Sequence, residues 1–461
     1  MPQPLAPSSD TTIARAGSSR LTLAAALLAA APALVLRLFG ADIAHTLEAL
    51  LFGVAIVGAA FLLSWAAEVA RLDIPAGLAL AVLALIAVLP EYAVDFVFAW
   101  QGGASVREYG RACPSGEPGT ASPCSLALAN MTGANRLLIG IGWASVVFIA
   151  WYRTRRLRTR AEAEAATDGT EVPPRSLRWS DVRLERSHAV EVAFLAVATV
   201  YSLTLPLKHS ITLFDSVVLI GLFVAYAVRL SRAPAEEPHL VGPASWIGSF
   251  SVRRRRGTVI ALFVWSAVVI VLCAEPFAHA LVETGRQYGI SEFFLVQWLA
   301  PLASEAPEFI VAALFAWRLE TSSALGALVS SKVNQWTLLV GSLPLVFAIS
   351  SHSLHGLPIA GIQREELLLT AAQSLFAVAL IVNLRMSIGE AALISGLFWA
   401  QFVASLIAGV HLHEEVLLIA SAVYLTIGVV LLARSRDEAT ALLRDGLRTP
   451  FDRLMGSDAS G

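Results

Sequence analysis

Leu89-Pro90-Glu91-Tyr92-Ala93-Val94-Asp95 and Ser304-Glu305-Ala306-Pro307-Glu308 are the stretches whose reading decides the fold. Each sets carboxylates beside a proline inside a long apolar run. The surroundings say which solvent those carboxylates meet. The chain has 461 residues, of which 56% are hydrophobic and only 15% charged, and its mean hydropathy is +0.68. A soluble domain needs more polar surface than that to cover its core, so the runs read as membrane spans. The formal net charge of −2 carries no bias toward nucleic acid.

Working outward from the two stretches, apolar segments fall at about 21–38, 43–70, 74–100, 124–151, 187–207 and 211–230. They resume at about 257–284, 291–318, 322–350, 363–383, 387–410 and 413–433. Each is long enough to cross the hydrocarbon as a helix, which takes about 20 residues. Backbone groups in lipid must bond internally, so helices are the expected form. Residues 1–20 are polar, and the run after them reads as a retained first helix rather than a signal peptide, because more spans follow at once. The expected organisation is an N-terminal segment 1–20, a first transmembrane half 21–152 completed by 187–230, linkers 153–186 and 231–256, a second half 257–433 and a tail 434–461.

Basic residues orient these spans. Arg153, Arg155, Arg156, Arg158, Arg160, Arg175, Arg178, Arg183 and Arg186 follow span four. Arg232 and Arg253 to Arg256 follow span six, and Arg434, Arg436, Arg444 and Arg448 follow the last. Basic loops stay cytoplasmic, so both termini are expected inside. The linker 153–186, where acids alternate with arginines around Pro173-Pro174, reads as a solvated connector. The loop 101–123 is then external. It holds Cys113, with Cys124 at its edge; a disulfide there would suit an oxidising exterior, and the alternative is two unpaired thiols. With Cys273 the cysteines number three and show no metal-binding spacing. Compact loops and the lack of an organelle address point to a bacterial inner membrane.

Ionisable residues at bilayer depth are costly and face a cavity or a partner. Glu91 and Asp95 are four apart, and Glu305 and Glu308 three apart, so each pair shares one helix face. Proline has no N–H, so the carbonyl four residues earlier loses its helical donor. Pro90 frees Ile86 in this way and Pro307 frees Ala303. A freed carbonyl beside a carboxylate is a hard-oxygen site suited to Na+ or Ca2+, and interrupted helices are how secondary transporters build such sites. The span after each motif is rich in small residues: Ala127-Leu128-Ala129-Asn130-Met131-Thr132-Gly133-Ala134-Asn135, and Ala324-Leu325-Gly326-Ala327-Leu328-Val329-Ser330-Ser331-Lys332. Small residues let helices approach closely. Span three runs outward and span eight inward, so the two repeats are inverted.

These residues resemble the two alpha-repeats of the sodium/calcium exchanger superfamily, over about 80–142 and 298–341. The family pattern is roughly G-T-S-L-P-E followed by G-N-x-x-G-S-N-x-x-N. The resemblance implies an all-α polytopic membrane protein of two inverted five-helix repeats, about 12 transmembrane helices in all. It also implies antiport of Na+ or Ca2+ against H+ or Na+ by alternating access. On this match Glu91 and Glu308 are the central cation ligands, and Asp95, Asn130, Asn135, Ser304, Glu305, Ser331 and Gln335 surround them. Ala303 falls where the family uses a backbone carbonyl. The pattern also departs. Ala87 and Val88 replace Thr and Ser, Ala134 replaces the later Ser, and Leu138 the last Asn of the first repeat. In the second, Glu305 replaces Ser and Lys332 replaces the Asn that Asn135 retains.

Lys332 lies about ten residues into its span, so ~15 Å deep, and Arg136 lies similarly deep in span four. Two readings stay open. Lys332 stands in for a bound cation, paired with Glu308 or Glu305; or both bases only neutralise surplus carboxylates. If internal salt bridges closed the site altogether, the chain would be a non-transporting or sensory member. His352, His355, His411 and His413 read as exposed loop residues at external turns. Trp298, Trp317, Trp336 and Trp399 read as anchors or packing residues. No nucleotide loop or nucleophile triad is present, so no enzymatic activity and no cofactor beyond the transported cations is expected. The expected partners are inorganic cations and the lipid bilayer.

Overall fold

The structure is a computed structural model that describes residues 9–40, 42–73, 89–110, 113, 121–168, 181–233, 240, 242–359 and 361–456, with backbone alone for 9–18, 163–168, 408–411 and 456. Residues 74–88, with Ile86, Ala87 and Val88, lie outside the described residues, as do Pro173-Pro174 and the His411 side chain. Among the described residues, ten helices are long and apolar enough to cross a membrane. They correspond to spans one, two, four to nine, eleven and twelve. Of span three only the part from Leu89 is described; it lies in the helix Leu89–Tyr109, which continues into the stretch expected as external loop, and span ten is the helix Gln363–Ile381.

Four spans differ in detail from expectation. The first is two helices, Ser9–Leu28 and Ala31–Phe39. Pro32 explains the break, because a proline starts a helix readily but cannot continue one. The eighth, Glu292–Trp317, is helical without interruption. Pro307 removes one hydrogen bond there but does not end the helix, which membrane helices tolerate. The last two spans, Ile388–Ile407 and Leu412–Arg434, lie within backbone that is helical from Ile388 to Arg434, 47 residues. A straight helix of that length would run ~70 Å. Its contacts exclude that. Glu366 meets His413, and Phe376 meets Tyr424, so Leu412–Arg434 runs parallel to Gln363–Ile381. Residues 382–387 reach at most ~25 Å, so Ile388–Ile407 must run the opposite way.

The chain folds as two compact units. The first comprises residues 1–94, 233–292 and 303–307, and holds spans one, two and seven. Leu62, Trp65, Ala66 and Val69 of span two pack with Ile247, Val259 and Leu262 in its core. At one end Asp73 accepts from Arg255 Nε and Nη2 at 2.7 and 2.8 Å, and from Arg256 Nε at 3.3 Å. The hydrogen bonds from Arg255 hold the Asp73 carboxyl below its usual range. This clamp joins the end of span two to the start of span seven.

The second unit comprises residues 95–232, 293–302 and 308–461. Two short antiparallel pairings tie its loops: Val182–Arg183 with Arg385–Met386, and Ser210–Ile211 with Leu357–Pro358. The first joins the loops after spans four and ten, the second those after spans five and nine. Each thus joins spans of equal parity, as alternating direction requires. The tail helix Arg436–Arg448 docks on the face of the first pairing, where Arg186 donates to Asp445 at 3.1 Å and Arg229 to the Gly446 carbonyl at 3.1 Å. On the other face Ser350 donates to the Trp100 carbonyl at 2.6 Å, and Cys113 and Cys124 form a disulfide.

Candidate cation site

The small-residue spans that carry the candidate ligands share an unusual backbone. Span four is α-helical over Pro123–Leu137, widens to a π-helix over Leu138–Trp143, and returns to α-helix at Ala144. Span nine does the same over Thr321–Asn334, Gln335–Leu339 and Val340 onward. The π-segments begin at Leu138 and Gln335, which the repeat pattern pairs with each other. π-Bulges recur at functional sites because the extra residue leaves backbone groups out of register. The internal repeat is therefore visible in backbone geometry as well as in sequence.

Lys332 shows where the two repeats meet. Its ammonium donates to the backbone carbonyl and to Oδ1 of Asn135, both at 2.7 Å. Asn135 and Lys332 occupy the same position of the two repeats, so a bond between them lies near the axis that relates the repeats. Lys332 is fully buried, and its ammonium stands over the Trp336 ring, 5.1 Å from the centroid. Asn135 Nδ2 donates to the Met131 carbonyl at 2.9 Å, which turns its oxygen toward Lys332. Both of these Asn135 ligands are neutral oxygens, the kind a monovalent cation takes.

Asp95 is fully buried, and its Oδ1 accepts from Asn130 Nδ2 at 2.8 Å. Asp95 Oδ2, Asn130 Oδ1 and Glu308 Oε2 are buried oxygens without a hydrogen-bond partner. Such atoms are costly unless something positive serves them. Ser331 is partly buried and Gln335 buried in span nine. Neighbouring Ser330 shares a hydrogen bond of 2.8 Å with Tyr226. Glu91, Ser304 and Glu305 are buried and belong to the first unit, as does the partly buried Ala303, which lacks a helical donor because Pro307 follows. Among the described residues, no three His, Cys, Asp or Glu side chains form a metal-holding group.

Arg136 does not serve the acids of the repeats that its depth suggested. Its Nη2 lies 2.9 Å from Oε2 of Glu366, and its guanidinium stands over the Trp298 ring, 4.9 Å from the centroid. Glu366 escaped sequence reading because it lies in the first turn of span ten, where a charge reads as a span end. Trp298 and Trp336 are likewise more than anchors, since each underlies a buried base. His413 is no exposed loop residue; it lies 3.7 Å from Glu366. His352 and His355 are exposed, as expected.

A family model described as sodium/calcium exchanger protein matches residues 45–232 and 258–408. No curated relative matches. Among solved structures, the chain is similar to the H+/Ca2+ exchanger CAX, with 39% identity, 95% of this chain and 99% of that chain covered, and a TM-score of 0.79. It also shares its fold with the Ca2+/H+ antiporter protein YfkE, at 12% identity and a TM-score of 0.53, over 88% of this chain and 99% of that one.

Proposed function

We propose that this chain, which belongs to the sodium/calcium exchanger protein family, exchanges Ca2+ for H+ across a membrane by alternating access. The family is one of cation exchangers and not of enzymes. The choice of Ca2+ and H+ follows the H+/Ca2+ exchanger that the chain resembles at 39% identity. The observation that carries it is the Lys332–Asn135 bond. A family member that moves Na+ needs several oxygen sites, and here one of them is filled by a tethered ammonium. That leaves room for fewer ions, in keeping with one divalent cation and protons.

The roles divide as follows. Asp95 and Glu308 bind the cation or protons, with the free oxygen of Asn130 as a neutral ligand. Glu91, which matches Glu308 in the other repeat, is the second central carboxylate, and Glu305, Ser304 and the Ala303 carbonyl belong to the surrounding shell; their part rests on the sequence resemblance. Gln335 and Ser331 follow the same resemblance. The alternative of a salt-bridged, non-transporting member loses support, because Arg136 is engaged by Glu366.

Proton competition gives the test. Ca2+ binding to the purified protein, followed with a pH indicator, should release protons and weaken as pH falls, since both ligands want the same carboxylates. Glu308→Gln should remove both effects. Tight Ca2+ binding with no proton release, at any pH, would overturn the pairing of these ions.

A further inference from the structure

The buried ion pair beside the repeats has no part in the exchange just described. Arg136 and Glu366 have side chains only 1% and 2% exposed. His413 Nε2 lies 3.7 Å from Glu366 Oε1, and its side chain is 24% exposed, so of the three it is the one that reaches the protein surface. A small cavity opens between them, walled by Gln297, Gln401, Ser405 and the rings of Trp298 and Phe402. Nε and Nη1 of Arg136 reach no hydrogen-bond acceptor, and polar walls with spare donors are what hydrate an internal cavity.

The charges around His413 are few. Span ten contributes Glu366 and span four Arg136. Spans eight and eleven contribute only neutral groups to the cavity. On its own helix, Glu414 and Glu415 are adjacent in sequence, and the buried Tyr424 lies further along. The arginine and glutamate cancel, so the cluster is neutral while the imidazole is neutral and carries one positive charge when it is protonated. Spans ten and twelve both begin at this end, opposite the face where the tail docks.

We propose that His413, Glu366 and Arg136 form a proton-binding site separate from the carboxylates of the repeats, open to the solution on the face opposite the tail. A proton from that solution binds the His413 imidazole nitrogen, and Glu366 shares it. The added charge stands beside Arg136, which directly follows Asn135 in the chain, so protonation disfavours the cation from that side. The effect on flux rests on the exchange reading above, whereas the proton binding does not.

Two measurements test it. With 13C-labelled histidine in purified protein, the His413 resonance is identified by its loss in His413→Gln. It should titrate, and Glu366→Gln should move its midpoint. A resonance that does not titrate, or a midpoint unmoved by Glu366→Gln, would overturn the site. In proteoliposomes, acidifying the side opposite the tail should raise the apparent KM for Ca2+. His413→Gln should reduce that rise by about fivefold, the order expected for one nearby charge, while the exposed-loop variant His355→Gln should follow wild type. Equal pH profiles for all three proteins would overturn the coupling. Absence of any Ca2+ transport by wild type would instead count against the exchange reading and leave the resonance test standing.

Discussion

Lys332 and Glu308 divide the chemistry between a fixed charge and an exchangeable one. Removing the charge of Glu308 or Asp95 leaves the other ligands in place but withdraws a negative charge from the site. Glu308→Gln and Asp95→Asn are each expected to lower Ca2+ exchange at least about 100-fold, near 2.7 kcal/mol of lost stabilisation, as read from initial rates in vesicles. Lys332→Met removes the tethered ammonium from Asn135. Exchange by that variant should become dependent on added Na+, which refills the oxygen site. Unchanged ion dependence and pH profile would show that Lys332 only packs. Glu91, Asp95, Glu305, Glu308 and Lys332 stood out in the sequence because a charge in mid-span is costly and needs a partner or a cavity. The Arg136 partner was not. Glu366 sits where a charge is ordinary, and only the packing of span ten on span four brings it under the guanidinium. Losing one member of such a buried pair is worth about 3–5 kcal/mol. Arg136→Met should therefore lower thermal stability sharply, and adding Glu366→Leu should restore much of it.

At the scale of elements, the small-residue spans act through close approach. A Cβ built on Gly133 would lie 1.7 Å from the Gln297 carbonyl oxygen, whereas one on Gly221 would meet nothing within 4 Å. Gly133→Ala should thus force span four away from the start of span eight, at a cost of about 1–3 kcal/mol or more. Gly221→Ala should be neutral or slightly stabilising. Thermal unfolding in one detergent compares the two, and equal midpoints would contradict the packing. Span number and the inverted repeats were readable from apolar runs and repeated motifs. The matching π-segments at Leu138 and Gln335 were not, because a one-residue widening of a helix leaves no mark in hydrophobic periodicity. The continuous helix through Pro307 was also misjudged, since proline removes a hydrogen bond but the surrounding bundle decides whether the helix stops.

For the whole molecule, the loop pairings and the docked tail sort the ends of the second unit into two faces. Charge then names them: the arginine-rich face is expected to be cytoplasmic. Single cysteines at His355 and Arg436, probed in intact cells with a membrane-impermeant maleimide, should react at the first position only. Reaction at Arg436 alone would reverse the orientation. The measurement that bears most directly on function is Ca2+ flux in proteoliposomes holding the purified protein, under an imposed pH gradient, beside Glu308→Gln. Uptake that follows the gradient, moves protons the other way and disappears in the variant is the expected result. Folded wild-type protein that moves no Ca2+ under that gradient, or a variant that moves it equally well, would contradict the account.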